Sequence, residues 1–129
     1  MRQGAHRLLL LLLWFPAVAA AQSAVARAEV TYLLDAIDSS GCEFYRNGTW
    51  YDAHQAAAHL SNKYRVLTAT GQIETAEDFI VKAASRSSFS GLPYETKCAG
   101  ALSRSDVWLN AVLARHRTEI TRYYKAHHT

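Results

Sequence analysis

Residues 42–51 have the sequence CEFYRNGTWY. The pair Asn47-Gly48 stands between residues that favour strands, and it is typical of a two-residue type I′ turn, in which both central residues adopt a positive φ. The segment therefore predicts a β-hairpin with strands at about 42–46 and 49–51. Side chains alternate between the two faces of such a hairpin, so some of its aromatic residues must face inward.

Helical segments are predicted on both sides of the hairpin. Residues 30–37 carry apolar side chains at the i, i+3, i+4, i+7 spacing of one helix face, and Gly41 suits the left-handed position after the last turn. Downstream, Asp52 and Gln55 have the spacing of a capping box at the start of a second helix. The hairpin is thus expected to connect two helices.

Two more helices and one strand are predicted further along the chain. Thr75 is the predicted N-cap of a third helix, whose first turn carries the acidic residues that the helix dipole favours. The alternation in residues 94–98 predicts one further short strand, and residues 99–104 are expected to form a turn. The last helix is expected to be capped by Ser103 or Ser105. The sequence therefore predicts an α+β fold, a mostly helical small domain of about four helices with a short β-hairpin and one further short strand.

The N-terminal segment has the pattern of a secretory signal peptide. Arg2 and Arg7 precede a short apolar run, Leu8–Phe15, and small residues follow as far as Ala21. The run is shorter than the ~20 apolar residues that cross a bilayer, which argues against a membrane anchor. We expect residues 1–21 to be a cleaved signal peptide, with rival cleavage sites as late as residue 28, and we expect the protein to be exported.

The rest of the chain has the length of one domain. We expect residues 29–124 to form a single globular domain and residues 125–129 to form a loose C-terminal tail. The chain has 14 Lys and Arg residues against 11 Asp and Glu residues, and cleavage of the signal peptide removes two arginines. Because the remaining domain is nearly neutral, no nucleic acid is expected as a partner, and no integral membrane segment is expected after cleavage.

The cysteine and histidine patterns predict one disulfide and no metal site. The chain has two cysteines, Cys42 and Cys98, and an even count in an exported protein indicates a disulfide bond. Neither cysteine lies in a CxxC motif or beside a cluster of histidines. On a helix, His54 and His59 would point about 140° apart, so they are not expected to share a metal ion. No cofactor is expected.

Residue types that are enriched in binding hot spots surround the predicted hairpin turn. Arg46, Trp50 and Tyr51 are of these types, and the downstream loop adds Ser90 and Tyr94. A disulfide that joined the two segments would make them one rigid recognition surface. No catalytic residue is predicted, and the sequence favours a non-enzymatic binding domain whose partner is an envelope protein or a glycan.

Two alternatives to this function remain open. Ser90-Gly91-x-Pro93-Tyr94 is similar to the Ser-Gly-x-x-Tyr loop of periplasmic lysozyme inhibitors, although those inhibitors are small antiparallel barrels and this chain is mostly helical by its pattern. The second alternative is a small hydrolase with a site around His59, which would require a pocket where a histidine and a carboxylate converge.

Four ordered blocks of residues carry a resemblance to a known family. The blocks are Cys42, Phe44, Arg46, Asn47, Gly48 and Tyr51; Ala57, His59, Leu60, Lys63 and Tyr64; Thr75, Glu77, Asp78, Phe79 and Ile80; and Ser87, Ser88, Ser90, Gly91, Pro93 and Tyr94. Together they resemble the YfeK-like family of small exported bacterial proteins, a domain of unknown function, over about residues 30–115. The resemblance implies a periplasmic location and a bridge between the two cysteines, and it implies no activity.

Overall fold

The computed structural model describes residue 4, residues 11–15 and residues 22–129. Most of the predicted signal peptide, residues 1–21, lies outside the described residues, and its described positions belong to no helix or strand. Among the residues that are described, no helix combines the length and the apolar character needed to cross a membrane.

Within residues 22–129, four helices and four strands form a small α+β domain. In chain order the elements are α1 (Ala24–Ser39), β1 (Glu43–Arg46), β2 (Thr49–Tyr51), α2 (Ala53–Ala69), α3 (Ala76–Lys82), β3 (Glu95–Cys98), β4 (Ala101–Arg104) and α4 (Ser105–His127). The strands form one antiparallel sheet in the order β2-β1-β3-β4. The predicted fold class is confirmed, and the sheet has one strand more than predicted.

The hairpin of β1 and β2 lies at its predicted position. Asn47 and Gly48 have φ values of 49° and 86°, as a type I′ turn requires. Phe44 pairs with Tyr51 across the two strands and is buried in the core.

Residues 95–104 form a second hairpin, and the prediction of a simple turn over residues 99–104 is wrong. Only Ala99 and Gly100 make the turn, with φ values of 49° and 80°, and Ala101–Arg104 pairs with β3 as strand β4. A positive φ is uncommon for alanine because its Cβ crowds the neighbouring backbone. The turn therefore lacks the Asn-Gly or Asp-Gly pair that reveals such turns in a sequence.

The predicted serine cap of α4 is also wrong. Arg104 occupies the N-cap position and makes no side-chain cap hydrogen bond. Ser105 is buried, and its hydroxyl forms a hydrogen bond of 2.7 Å with Thr96 Oγ1 of β3. This side chain therefore joins α4 to the sheet, a contact between distant parts of the chain that a local capping rule does not anticipate.

Both terminal helices extend beyond residues 29–124, the bounds predicted for the domain. Helix α1 begins at Ala24, and α4 continues to His127. Most of the segment predicted as a loose tail, residues 125–129, is therefore helical.

The starts of the two middle helices agree with their predicted caps. Asp52 accepts a hydrogen bond from the backbone N–H of Gln55, and the Gln55 side chain accepts one from the Asp52 N–H. Thr75 and Asp78 form the same reciprocal arrangement at the start of α3. Each pair satisfies N–H groups that the first turn of a helix leaves without partners.

The core lies where the helices meet each other and one face of the sheet. Helix α1 packs against α2, α3 and α4, and both α2 and α4 contact the strands. The side chains that are almost completely buried come from α1, α3, α4, β3 and the segment before α3. They are Val30, Leu33, Ile37, Ile73, Phe79, Ile80, Thr96 and Leu109.

Cys42 and Cys98 form the predicted disulfide. Their Cα atoms are 4.5 Å apart, and the bridge joins the residue before β1 to the last residue of β3. Because β1 and β3 are neighbours in the sheet, the disulfide reinforces their pairing. It thereby fixes the hairpin relative to the loop that precedes β3.

Candidate functional site

The pairing of β1 with β2 divides the predicted binding residues between the two faces of the sheet. Arg46 and Tyr51 share the face of Phe44, which is directed toward the helices. Trp50 pairs with Tyr45 on the opposite face, where their ring centres are 5.4 Å apart. Trp50 is therefore kept away from Arg46, although the two residues are close in the sequence.

Arg46 contacts both the hairpin and helix α2. Its guanidinium carbon lies 4.7 Å from the centre of the Tyr51 ring, and its Nη1 donates a hydrogen bond to Nδ1 of His59. A guanidinium has no acceptor atom, so Nδ1 must be the acceptor and the proton of the neutral imidazole must lie on Nε2. Nε2 can then donate to the hydroxyl oxygen of Tyr94, 3.3 Å away.

Lys63 approaches the same hydroxyl from the next turn of α2. Its Nζ donates to the carbonyl oxygen of Arg86 at 2.9 Å and to Tyr94 Oη at 3.4 Å. A phenolic oxygen accepts two hydrogen bonds and donates one. Because His59 and Lys63 donate to Tyr94, its own O–H proton is left to be donated to a further group.

Burial and the positive charge of Arg46 shift the pKa values of His59, Lys63 and Tyr94. Burial lowers the pKa of His59, and the positive charges of Arg46 and Lys63 lower it further. Burial and then the Arg46 charge lower the pKa of Lys63. Burial raises the pKa of Tyr94, with a smaller opposite effect of Arg46. A neutral His59 and a protonated Tyr94 at neutral pH agree with the direction of the hydrogen bonds.

These side chains line a surface cavity of about 190 Å³, which we call the cationic cavity. No acidic residue lines it, and within residues 22–129 neither Arg46 nor Lys63 forms a salt bridge with a carboxylate. Uncompensated positive groups around a concave surface attract anions. The complete lining is Arg46, Asn47, His59, Lys63, Ser87, Ser88, Phe89 and Tyr94.

Asn47 connects the hairpin turn to the loop beside the cationic cavity. Its Nδ2 donates to Ser87 Oγ at 3.0 Å, and the Ser90 hydroxyl donates to Asn47 Oδ1. Ser87 Oγ also accepts the backbone N–H groups of Phe89 and Ser90, each at 3.2 Å. The loop is thus well fixed at its base, while Phe89 at its tip is 97% exposed.

The structure brings together three of the five residues predicted to bind a partner. Arg46 and Tyr94 line the cationic cavity, and Tyr51 supports the Arg46 guanidinium. Trp50 and Ser90 do not line it. Lys63, which does, is absent from the predicted binding residues.

The sequence does indicate which residues of α2 line the cavity. His59 and Lys63 are four residues apart, and residues at this spacing share one face of a helix. The position of Arg46 opposite them depends on how the hairpin packs against α2. No short stretch of the sequence indicates this packing.

The described residues contain no group of three His, Cys, Asp or Glu side chains that could hold a metal ion. His54 is exposed and pairs with Asp38 of α1, whereas His59 points toward the hairpin. The two histidines lie on different faces of α2, in the arrangement predicted from their spacing.

Comparison with known proteins places the chain in a family. A model described as "Family of unknown function (DUF5329)" matches residues 24–117. The chain belongs to this family. It is also similar to the "Uncharacterized protein YfeK" of Salmonella typhimurium, with 36% identity over 85 residues that cover 65% of this chain and 68% of the relative. No solved structure matches the chain. The DUF5329 match includes the whole cationic cavity, and the predicted resemblance to YfeK-like proteins is confirmed.

Proposed function

We propose that this member of the DUF5329 family is an exported, non-enzymatic binding domain that recognises an anionic group of a cell-envelope component in the cationic cavity. The observation that carries the proposal is the convergence of Arg46, Lys63 and the Tyr94 hydroxyl on one cavity without an acidic neighbour. An anion would supply acceptors for the N–H and O–H donors of these three side chains. Hydrogen bonds that involve an ionised group are stronger than hydrogen bonds between two neutral groups.

The surroundings of His59 support binding rather than catalysis. A hydrolase of the type considered above would use a histidine together with a carboxylate that orients it or accepts its charge. Here the hydrogen-bond partners of the two ring nitrogens are Arg46 and Tyr94. Two positive neighbours make an imidazolium unfavourable, so His59 is better suited to hold Arg46 in place than to accept a proton from a substrate.

The contacts of Ser90 and Tyr94 give the lysozyme-inhibitor alternative no additional support. The Ser90 hydroxyl donates to Asn47 and accepts the Leu92 N–H at 3.2 Å. Tyr94 is 6% exposed, and its hydroxyl is directed toward His59 and Lys63. Tyr94 is buried in the lining of a cavity, whereas an inhibitory loop must project its residues into a cleft of the partner.

Export is supported by the disulfide and by the way the start of α1 is built. Gln22 is buried, and its Oε1 accepts a hydrogen bond of 2.6 Å from the Tyr64 hydroxyl. The Ser23 hydroxyl caps α1 by accepting the Ala26 N–H at 3.0 Å. Cleavage after Ala26 or Ala28 would remove these contacts, whereas cleavage after Ala21 preserves them.

We therefore expect mass spectrometry of the exported protein to give a chain that begins at Gln22. A mature chain that begins after residue 26 would show that the cap and the Gln22 contact are dispensable. An uncleaved chain would contradict the signal-peptide part of the proposal.

Titration with inorganic phosphate at low ionic strength tests whether the cationic cavity binds anions. We expect NMR signals of Arg46, His59, Lys63 and Tyr94 to shift with a single binding constant, and binding to weaken as salt screens the charges. Replacement of Lys63 by alanine is expected to weaken binding roughly fivefold, the scale of one partly exposed ion pair.

Lys97→Ala is the matched control for Lys63→Ala. Lys97 lies on the opposite face of the sheet, 3.5 Å from a Glu43 carboxylate oxygen and 4.5 Å above the Trp50 ring. Its removal changes the net charge by the same amount and should leave phosphate binding unchanged. Equal losses in both variants, or no shifts at the cavity residues, would refute the proposed anion site.

A further inference from the structure

A second, apolar cavity adjoins the cationic cavity. Its volume is about 40 Å³, and we call it the apolar crevice. Arg46, His59 and Tyr94 line both spaces and form the boundary between them. The remaining lining of the crevice is mainly apolar, with Phe44, Ala56, Leu60, Ala84 and Leu109 among its residues.

The size and lining of the apolar crevice limit what can enter it. A cavity needs roughly 10–15 Å³ to hold one water molecule, so this space takes only a few heavy atoms. Water gains little in a space with few polar partners, and apolar cavities instead accept apolar groups. An alkyl group of a few carbon atoms is therefore the best occupant.

The boundary residues determine the polar group of the ligand. Arg46 is held by the Tyr51 ring and by its bond to His59, so one edge of its planar guanidinium is already used. Among the three residues that line both spaces, Arg46 contributes its remaining guanidinium N–H groups and Tyr94 contributes its O–H as donors to a ligand at the boundary. Lys63 lines only the cationic cavity. The planar guanidinium can donate two parallel hydrogen bonds to the two oxygens of a carboxylate.

We infer that the anion recognised by this domain is a carboxylate that carries a short alkyl group. The carboxylate accepts hydrogen bonds from Arg46 and Tyr94, and the alkyl group occupies the apolar crevice beside Leu60 and Leu109. This inference rests on the proposed function, because it requires the cationic cavity to bind anions at all.

A homologous series of carboxylates tests the inference on the unmodified protein. Acetate, propionate, butyrate and hexanoate are titrated separately, with propylphosphonate as a phosphoryl ligand that has a similar alkyl group. We expect affinity to rise by up to about fourfold for each added methylene as far as butyrate, because each buried methylene contributes hydrophobic free energy. Hexanoate should show no further gain, and intermolecular NOEs should connect the butyrate methyl group to Leu60 and Leu109.

Ala56→Val provides a variant in which the crevice is narrowed from helix α2. It should abolish the gain in affinity from acetate to butyrate, because the added methylene groups no longer have space in the crevice. Ala58→Val is the matched control, because Ala58 is exposed on the same helix and the change has the same effect on helix propensity.

The outcomes separate the inference from the proposed function. If phosphate and acetate bind but chain length has no effect, or if propylphosphonate binds more tightly than butyrate, the inference is wrong and the anion site stands. If no anion binds, both fail. If Ala56→Val does not fold, the chain-length series and the NOEs of the unmodified protein still decide the question.

Discussion

Replacement of both Cys42 and Cys98 by alanine is expected to lower the free energy of unfolding by about 4 kcal/mol. The two cysteines are separated by 56 positions, and the bridge restricts the unfolded chain by closing this loop. Small domains have total stabilities of roughly 5–15 kcal/mol, so the loss is a large fraction of the whole. The midpoint of thermal unfolding should fall by more than about 15 °C in a domain of this size.

Reduction of the unmodified protein provides the control for the cysteine variant. The reduced protein and the double variant should have similar free energies of unfolding by urea denaturation, and a reducing agent should not affect the double variant. Cys42 is buried and contributes to the core, so the alanine variant includes a small packing loss that reduction does not cause. A loss below about 1 kcal/mol in both experiments would contradict the view that the bridge acts by restricting the unfolded chain.

Replacement of Arg46 by alanine is expected to weaken anion binding by roughly 10–100-fold, since a hydrogen bond to a charged group contributes about 1.5–3 kcal/mol. Arg46 lines both cavities, so phosphate and butyrate should both be affected. The same change removes a positive charge that lowers the pKa of His59. The pKa of His59, measured by NMR titration, should therefore rise in this variant.

Arg65→Ala and Arg46→Lys are the controls for this prediction. Arg65 is exposed on α2 and its side chain contacts Asn62, so its replacement tests the effect of net charge alone and should leave binding unchanged. Arg46→Lys retains the charge but not the planar donors, so we expect it to recover only part of the lost affinity. Full recovery with lysine would show that charge suffices, and an equal loss in Arg65→Ala would show that the effect is not specific to the cavity.

The elements that could be predicted from the sequence are those with a strong local pattern. The Asn47-Gly48 hairpin, the capping box at Asp52 and the N-cap at Thr75 lie where the sequence places them. In each case the turn geometry or the cap hydrogen bonds involve residues that are close in the sequence, so the pattern does not depend on the rest of the fold. The second hairpin was missed because Ala99-Gly100 is an unusual turn pair, stabilised by the pairing of the strands on either side.

The candidate site likewise combines features that have a local sequence pattern with features that depend on tertiary packing. The sequence indicated the turn and the loop as candidate segments for the site, and the spacing of His59 and Lys63 places both on one face of α2. Arg46 and Trp50 were expected to act together because they are near in sequence and both are common in interfaces. The strand register directs them to opposite faces of the sheet.

The sequence alone was enough to deduce the α+β class, the first hairpin, the caps of the two middle helices and the disulfide, because each depends on residues whose pattern or number carries the information directly. The convergence of Arg46, His59, Lys63 and Tyr94 became visible in the folded structure alone, since these residues come from three segments that meet when the sheet packs against α2. A site requires several side chains to meet at distances of a few ångströms. Such distances follow from the packing of whole elements against one another, which no short stretch of sequence encodes.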